Sequence, residues 1–121
     1  MSWREMATDN YRAANALLAA GYWRSCISRA YYAVFARCID ELMAAGVSLP
    51  ARGNPSHQSL RTMLLNNLRR FSPVRRQLIG ALVLKLYRLR IVADYGAAIV
   101  VGHGEARQAL GLMFSVFREL R

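Results

Sequence analysis

Residues 22–45 read YWRSCISRAYYAVFARCIDELMAA, and this stretch decides the fold. Its apolar side chains recur every three or four residues, at Ile27, Ala30, Tyr31, Val34, Cys38 and Leu42. That spacing marks one face of an α-helix. Gly21 and Gly46 flank the stretch, and glycine commonly ends a helix. We therefore predict a long helix from about Tyr22 to Ala45 whose apolar face lies in the core.

Two further helices flank this segment. Ser2 followed by Glu5 fits a capping box at the start of a first helix, which stops at Gly21. After a loop rich in glycine and proline, Asn54 or Ser56 caps a third helix. The apolar face of this third helix consists of Leu60, Met63, Leu64, Leu68 and Phe71.

The remainder of the chain predicts two more helices. Ser72 followed by Pro73 is a strong start signal for a fourth helix, which runs to about Asp94. Residues 96–104, GAAIVVGHG, predict an extended connector, and a last helix covers about 105–120. The sequence thus predicts an all-α fold, an up-and-down bundle of four or five helices, in a single domain over residues 1–121.

The fourth helix is apolar on nearly all sides. Between Leu78 and Val92 its only charged residues are Lys85, Arg88 and Arg90. A helix of this kind must be covered on more than one side, which a small monomer does not easily achieve. We therefore expect a homodimer.

Several functional classes are disfavoured. No apolar run approaches the ~18 to 20 residues that span a bilayer. The N-terminal stretch MSWREMATDN has no apolar signal core, so a cytoplasmic protein without a membrane partner is expected. Cys26 and Cys38 lack neighbours at metal-ligand spacing, which predicts buried, reduced thiols, and no metal or other cofactor is expected.

The positive charge is concentrated in one segment. The net charge is +10, and between Glu41 and Asp94 there is no acidic residue. The basic residues of this segment are Arg52, Arg61, Arg69, Arg70, Arg75, Arg76, Lys85, Arg88 and Arg90. A solvated surface in an arginine-rich protein is one explanation. Because such charges repel one another, we favour a surface that binds a polyanion.

Arg90 and Asp94 are spaced i, i+4 on one helix face. A surface ion pair explains them poorly, because a carboxylate in the last helical turn meets the negative end of the helix dipole. A partly buried cluster of Arg90, Asp94 and a tyrosine, in which the acid orients the guanidinium for another ligand, is the candidate site.

Three segments resemble the HEPN superfamily of small prokaryotic helical proteins. They are SRAYYAVFARCIDEL (28–42), HQSL (57–60) and LYRLRIVADYG (86–96), and the resemblance runs over about residues 9–121. It is closest to the stand-alone branch whose fourth helix ends in Arg-x-x-Ala-Asp-Tyr. The resemblance implies a dimerising helical bundle with the arginines of the fourth helix near the dimer cleft.

The same resemblance implies several functions. Many members are metal-independent ribonucleases that use Arg-x(4–6)-His, others pair with a small nucleotidyltransferase in toxin–antitoxin systems, and others only bind nucleotides or RNA. Counting from Arg90, the histidine positions here are Tyr95, Gly96 and Ala97, none of which is a base near pH 7. Without this histidine, the predicted site suits phosphate or nucleotide binding better than RNA cleavage. The sequence does not decide whether the protein is an enzyme.

The two histidines, His57 and His103, lie outside this pattern. Arg52 and His57 fit Arg-x4-His, but they lie before the third helix, and we interpret the match as chance. His103 lies on the predicted connector between two glycines, either exposed or able to reach the cleft.

Tyr31 and Tyr32 point about 100 degrees apart on a helix, so Tyr31 joins the core and Tyr32 faces the groove near Arg29. Packing of both in the core is the alternative. The predicted site thus has Arg90, Asp94 and Tyr95 at its centre. Arg29, Tyr32, Arg61, Arg69, Arg70 and Arg88 are the candidate nucleic-acid-binding residues.

Three functional hypotheses follow. The first is a toxin–antitoxin or defence protein that binds, and in one version cleaves, RNA or a nucleotide. The second is a non-catalytic subunit that pairs with a small nucleotidyltransferase. The third is a helical assembly module whose arginines serve only solubility.

Overall fold

The computed structural model describes residues 1–49 and 55–121, and five α-helices account for most of them. They are α1 (Trp3–Ala20), α2 (Trp23–Ala44), α3 (His57–Asn67), α4 (Pro73–Tyr95) and α5 (His103–Glu119). There is no strand within these two ranges. Each helix packs against the next one along the chain, as in an up-and-down bundle. The all-α prediction is confirmed, whereas the expected dimer concerns a second chain and stays a prediction.

Helix α2 is the centre of the bundle because it contacts all four other helices. Its predicted inner face is buried, and Tyr31 is fully buried within it. Cys26 and Cys38 are buried as free thiols, as expected. Side chains of α3, α4 and α5 complete the same core around α2. The spacing of apolar residues in this one stretch therefore determines which face the remaining helices cover.

The predicted caps define most of the helix boundaries. Ser2 and Glu5 form the capping box of α1, and Gly21 follows that helix with a left-handed φ of 84°. Ser56 caps α3 by accepting a hydrogen bond from the Ser59 amide, and Asn54, the other candidate cap, lies outside the described residues. Ser72 caps α4 in the same way.

The end of the bundle differs from the prediction in two details. Helix α5 begins at His103, two residues earlier than expected, because the Glu105 carboxylate accepts a hydrogen bond from the Gly102 amide and closes the first turn. The segment between α4 and α5 is also not simply extended. It contains a turn in which the Ile99 amide donates to the Gly96 carbonyl.

Within the described ranges, none of the helices has the length and apolar character needed to cross a lipid bilayer. Helix α4 exposes Val74 and Leu78, at 76% and 45%, near its N-terminal end. Its other end enters the bundle, with Leu86, Arg90 and Ala93 buried. The candidate site is therefore built where α4 meets α2.

Candidate functional site

Arg90 is a buried arginine in the last two turns of α4. Its exposed fraction is 8%, and Glu41 is the other buried charged side chain among the described residues. Burying a guanidinium costs free energy unless partners replace its water shell. The neighbours of Arg90 therefore determine what this group can do.

Asp94 is the anionic partner of Arg90. Arg90 Nε and Asp94 Oδ2 are 2.8 Å apart, although the N–H does not point at an acceptor, so the contact is an ion pair and not a directed hydrogen bond. Ser28 on α2 donates a hydrogen bond of 3.3 Å to the same Oδ2 atom. The carboxylate is thereby held between two helices, with a quarter of its side chain exposed.

Tyrosines surround the guanidinium of Arg90. Its Nη2 donates a 2.8 Å hydrogen bond to the hydroxyl of Tyr32. The ring centroids of Tyr31, Tyr32 and Tyr95 lie 5.8, 5.3 and 5.5 Å from its central carbon. Burial tends to lower the pKa of Arg90, but Tyr32, Asp94 and Tyr95 together outweigh it and raise that pKa. The group is a permanent cation with a fixed orientation.

The two tyrosines of α2 occupy the positions predicted for them. Tyr31 is fully buried, whereas Tyr32 is 36% exposed beside Arg90. Tyr95, the predicted third member of the cluster, is 70% exposed and contacts Arg90 with its ring. The phenol that hydrogen-bonds the guanidinium is therefore that of Tyr32, which lies far from Arg90 in the sequence.

Arg24 on α2 supports the end of α4 and was not identified from the sequence. Its Nη1 donates to the carbonyls of Val92 and Ala93, at 3.2 and 3.0 Å. Its Nη2 donates to the carbonyls of Gly96 and Ile99. A cation on the terminal carbonyls offsets the negative end of the helix dipole, which otherwise opposes a carboxylate at Asp94. No spacing rule points to Arg24, because its partners are carbonyls distant in the sequence.

His57 makes contacts near the Arg90 cluster that the sequence did not predict. It is the first residue of α3, and its Nδ1 hydrogen-bonds the hydroxyl of Tyr31. Its ring lies 4.4 Å, centroid to centroid, from that of Tyr87 on α4. Burial, followed by the positive charge of Arg90, lowers the pKa of His57. Arg52 of the Arg-x4-His match lies outside the described residues, and the sequence spacing gives no hint that α3 brings His57 to α2 and α4.

Arg61 of α3 and Arg88 of α4 both line a cleft between these two helices. The cleft has a volume of about 700 Å³, and His57 and Tyr87 line it together with these two arginines. Both arginines are exposed. These two candidate binding residues are thus brought together, beside the Arg90 cluster and not within it.

The other candidate binding residues are placed elsewhere. Arg29 is exposed and donates to the Asn10 side chain on α1, and Arg69 is exposed in the turn between α3 and α4. Arg70 stabilises the bundle, since it pairs with Glu41 and donates to the Leu120 carbonyl. The structure gives Arg70 a bundle contact that the sequence did not predict.

His103 is the first residue of α5 and not, as predicted, part of the connector. Its ring packs edge-on against Trp23 of α2, with the ring centroids 5.0 Å apart. It remains exposed. Across residues 1–49 and 55–121, no three His, Cys, Asp or Glu side chains come together as a potential metal site.

Comparison with known proteins agrees with this architecture. A family model described as the HEPN domain matches residues 1–121. Searches of curated proteins and of solved structures find no match. The match covers every residue of the sequence, including the segments 28–42, 57–60 and 86–96. The chain therefore belongs to the HEPN domain family.

Proposed function

We propose that this HEPN domain binds RNA, with Arg90 as the central phosphate contact, in a toxin–antitoxin or related defence module. The observation that carries the proposal is the buried guanidinium of Arg90, oriented by Asp94 and Tyr32. Within the described chain, no residue accepts a hydrogen bond from its Nη1. A guanidinium fixed on two sides with a donor remaining is suited to a phosphate oxygen.

The surrounding charge supports a polyanionic ligand. Asp94 neutralises Arg90 in part, but no acidic residue precedes it back to Glu41. Arg75 of α4 pairs with Glu119, but Arg61, Lys85 and Arg88 form no ion pair with a described residue. Helices α3 and α4 therefore keep an excess of positive charge. Such a field attracts a nucleic-acid backbone and makes the affinity depend on salt.

The proposed activity is binding without the family's usual cleavage chemistry. The turn after Arg90 supplies Tyr95 and Gly96 where a nuclease member has its proton-transfer histidine. Neither Tyr95 nor Gly96 supplies an imidazole, and the Asp94 carboxylate is already engaged by Arg90 and Ser28. Asp94 is placed to orient Arg90, and this role requires no proton transfer.

The test is RNA binding by the purified protein and by Arg90→Lys, which keeps the charge and loses the fork-shaped donor. A labelled transfer RNA and a labelled single-stranded oligonucleotide are titrated in EDTA between ~50 and ~200 mM salt. We expect affinity to fall with salt and Arg90→Lys to weaken binding about tenfold, as expected for the loss of one charge-assisted hydrogen bond.

The matched control is Arg107→Lys, because Arg107 is exposed on α5 outside the basic segment. It is expected to bind as the parent does. Equal loss in both variants, or RNA affinity that does not change with salt, contradicts the proposal. Pairing with a nucleotidyltransferase instead predicts no RNA binding by this chain alone. RNA cleavage that Arg90→Lys abolishes would replace binding by the nuclease activity.

A further inference from the structure

The cleft between α3 and α4 is a second concave feature, distinct from the Arg90 cluster. Its volume of about 700 Å³ is within the usual range for small-molecule sites. Arg61 extends from α3 across Gly80 of α4, since a Cβ placed on Gly80 would lie 3.6 Å from Arg61 Cγ. Arg88 lines the same cleft one helix away. Two cations from different helices therefore border one concave space.

Neither cation is neutralised by the protein. Arg61 and Arg88 make no ion pair with any described residue, in contrast to Arg37, Arg70 and Arg75. The absence of acidic residues between Glu41 and Asp94 ensures that α3 and most of α4 offer no carboxylate. Two arginines that line the same cleft without a counter-ion favour an anionic ligand in that cleft.

His57 adds a neutral donor to this cleft. Tyr31 is fully buried, and burial raises the pKa of its phenol, so its hydroxyl stays protonated. The only partner of that hydroxyl among the described residues is His57 Nδ1. If Nδ1 carried the proton, the buried O–H of Tyr31 would be left without an acceptor, so we assign Nδ1 as the acceptor. In a neutral imidazole with Nδ1 as acceptor, the proton is on Nε2. Nε2–H is then a donor without a partner in the described part of the chain.

We propose that the α3–α4 cleft binds the phosphate of a ribonucleotide unit, held by Arg61, Arg88 and the Nε2–H of His57, with the Tyr87 ring beside the nucleoside. This inference rests on the proposed RNA binding and names a second contact for the strand. Arginine side chains and a neutral N–H are phosphate donors, and an aromatic wall suits a base. The bundle itself supplies all four groups, each from α3 or α4.

The first experiment uses the two histidines of the chain as reporters. Proton NMR follows their titration with and without uridine 5′-monophosphate, with His103→Asn to assign the signals. A bound phosphate favours the protonated imidazole, so the His57 midpoint is expected to move to higher pH while that of His103 stays constant. Arg61→Gln combined with Arg88→Gln is expected to remove this response, and Arg107→Gln is expected to keep it. Movement of neither histidine, or equal movement of both, overturns the proposal.

The second experiment distinguishes this cleft from the Arg90 cluster. The double variant is expected to bind single-stranded RNA about tenfold more weakly. The negative slope of log affinity against log salt is expected to become shallower by ~0.7 for each phosphate contact that is lost. Unchanged RNA affinity in the double variant, with weakened binding in Arg90→Lys, overturns the cleft and leaves the proposed function intact. If no RNA binds but uridine monophosphate still moves the titration midpoint of His57 and not that of His103, the proposed function is contradicted and the cleft is a mononucleotide site.

Discussion

The guanidinium of Arg90 combines low exposure with contacts from two helices. Asp94 comes from its own helix, and Tyr32 comes from α2. Ser28 of α2 donates a hydrogen bond to Asp94. Helix α2 therefore supplies the phenol that contacts Arg90 and also anchors the carboxylate that pairs with it. An arginine held in this way loses little side-chain entropy when it meets a ligand, which favours binding.

Tyr32 is the member of this cluster whose contribution is simplest to measure. Tyr32→Phe keeps the ring and removes the hydroxyl that accepts from Arg90 Nη2. Because Tyr32 is 36% exposed, water replaces part of the lost contact. We expect the free energy of unfolding to fall by about 1 kcal/mol in urea denaturation.

The control for this substitution is Tyr22→Phe. Tyr22 is 62% exposed, and its hydroxyl makes no hydrogen bond to a described residue. Its loss is expected to leave stability unchanged within error. Equal stability of Tyr32→Phe and the parent protein would show that the phenol does not hold the guanidinium.

At this scale the sequence predicted the pair of Arg90 and Asp94 and the different positions of Tyr31 and Tyr32, because all of these follow from helical spacing. The contacts of His57 and Arg24 were not predicted, and the reason is the same for both. Their partners lie on other helices, so their contacts depend on how the helices pack and not on spacing along the chain.

The end of α4 is the element on which the site depends. Its last carbonyls receive the guanidinium of Arg24, and the turn at 96–99 is tied to the same side chain. A helix end without such a partner leaves its carbonyls to water and frays. The contact therefore keeps Asp94 and Tyr95 in register with α2.

Arg24→Met tests this role, because methionine preserves much of the apolar stem and removes every donor. We expect a loss of about 2 kcal/mol in the free energy of unfolding, since one charged group satisfies several carbonyls. Amide hydrogen exchange should also become faster at residues 96 and 99, whose N–H groups close the end of α4 and the following turn.

Arg12→Met is the matched control, as Arg12 is an exposed arginine on α1 that forms no ion pair in the described chain. Unchanged exchange at 96 and 99 in Arg24→Met would show that the turn is stable by itself. The predicted extended connector was wrong in part at this element, because the Ile99 amide donates to the Gly96 carbonyl and residues 96–99 form a turn.

The whole bundle is closed by a charged junction at the opposite end of α2. Glu41 is 7% exposed and pairs with Arg37 at 2.9 Å and with Arg70 at 2.5 Å. Both arginines also donate to the Leu120 carbonyl, each at 2.8 Å. One carboxylate thus connects α2, the turn before α4 and the end of α5. The sequence predicted the helices joined here. It did not predict the contact between Arg70 and Glu41, because a run of basic residues does not show which ones face an acid.

The pH dependence of stability tests this junction in the whole molecule. Burial acts to raise the pKa of Glu41, but hydrogen bonds and charge from Arg70 and Arg37 outweigh it and lower that pKa. A lowered folded-state pKa gives stability that is present above the unfolded value, near ~4.3, and lost as pH falls through the folded value. We expect Glu41→Gln to lower the free energy of unfolding by about 2 kcal/mol at pH 7 in urea denaturation, and this loss to shrink below pH ~4.3.

Glu5→Gln also removes a carboxylate of lowered pKa, but one that is exposed at the start of α1, so it is the control for a local cap. A cost for Glu41→Gln that stays constant from pH 7 to pH 3 would show that its charge does not hold the three elements together.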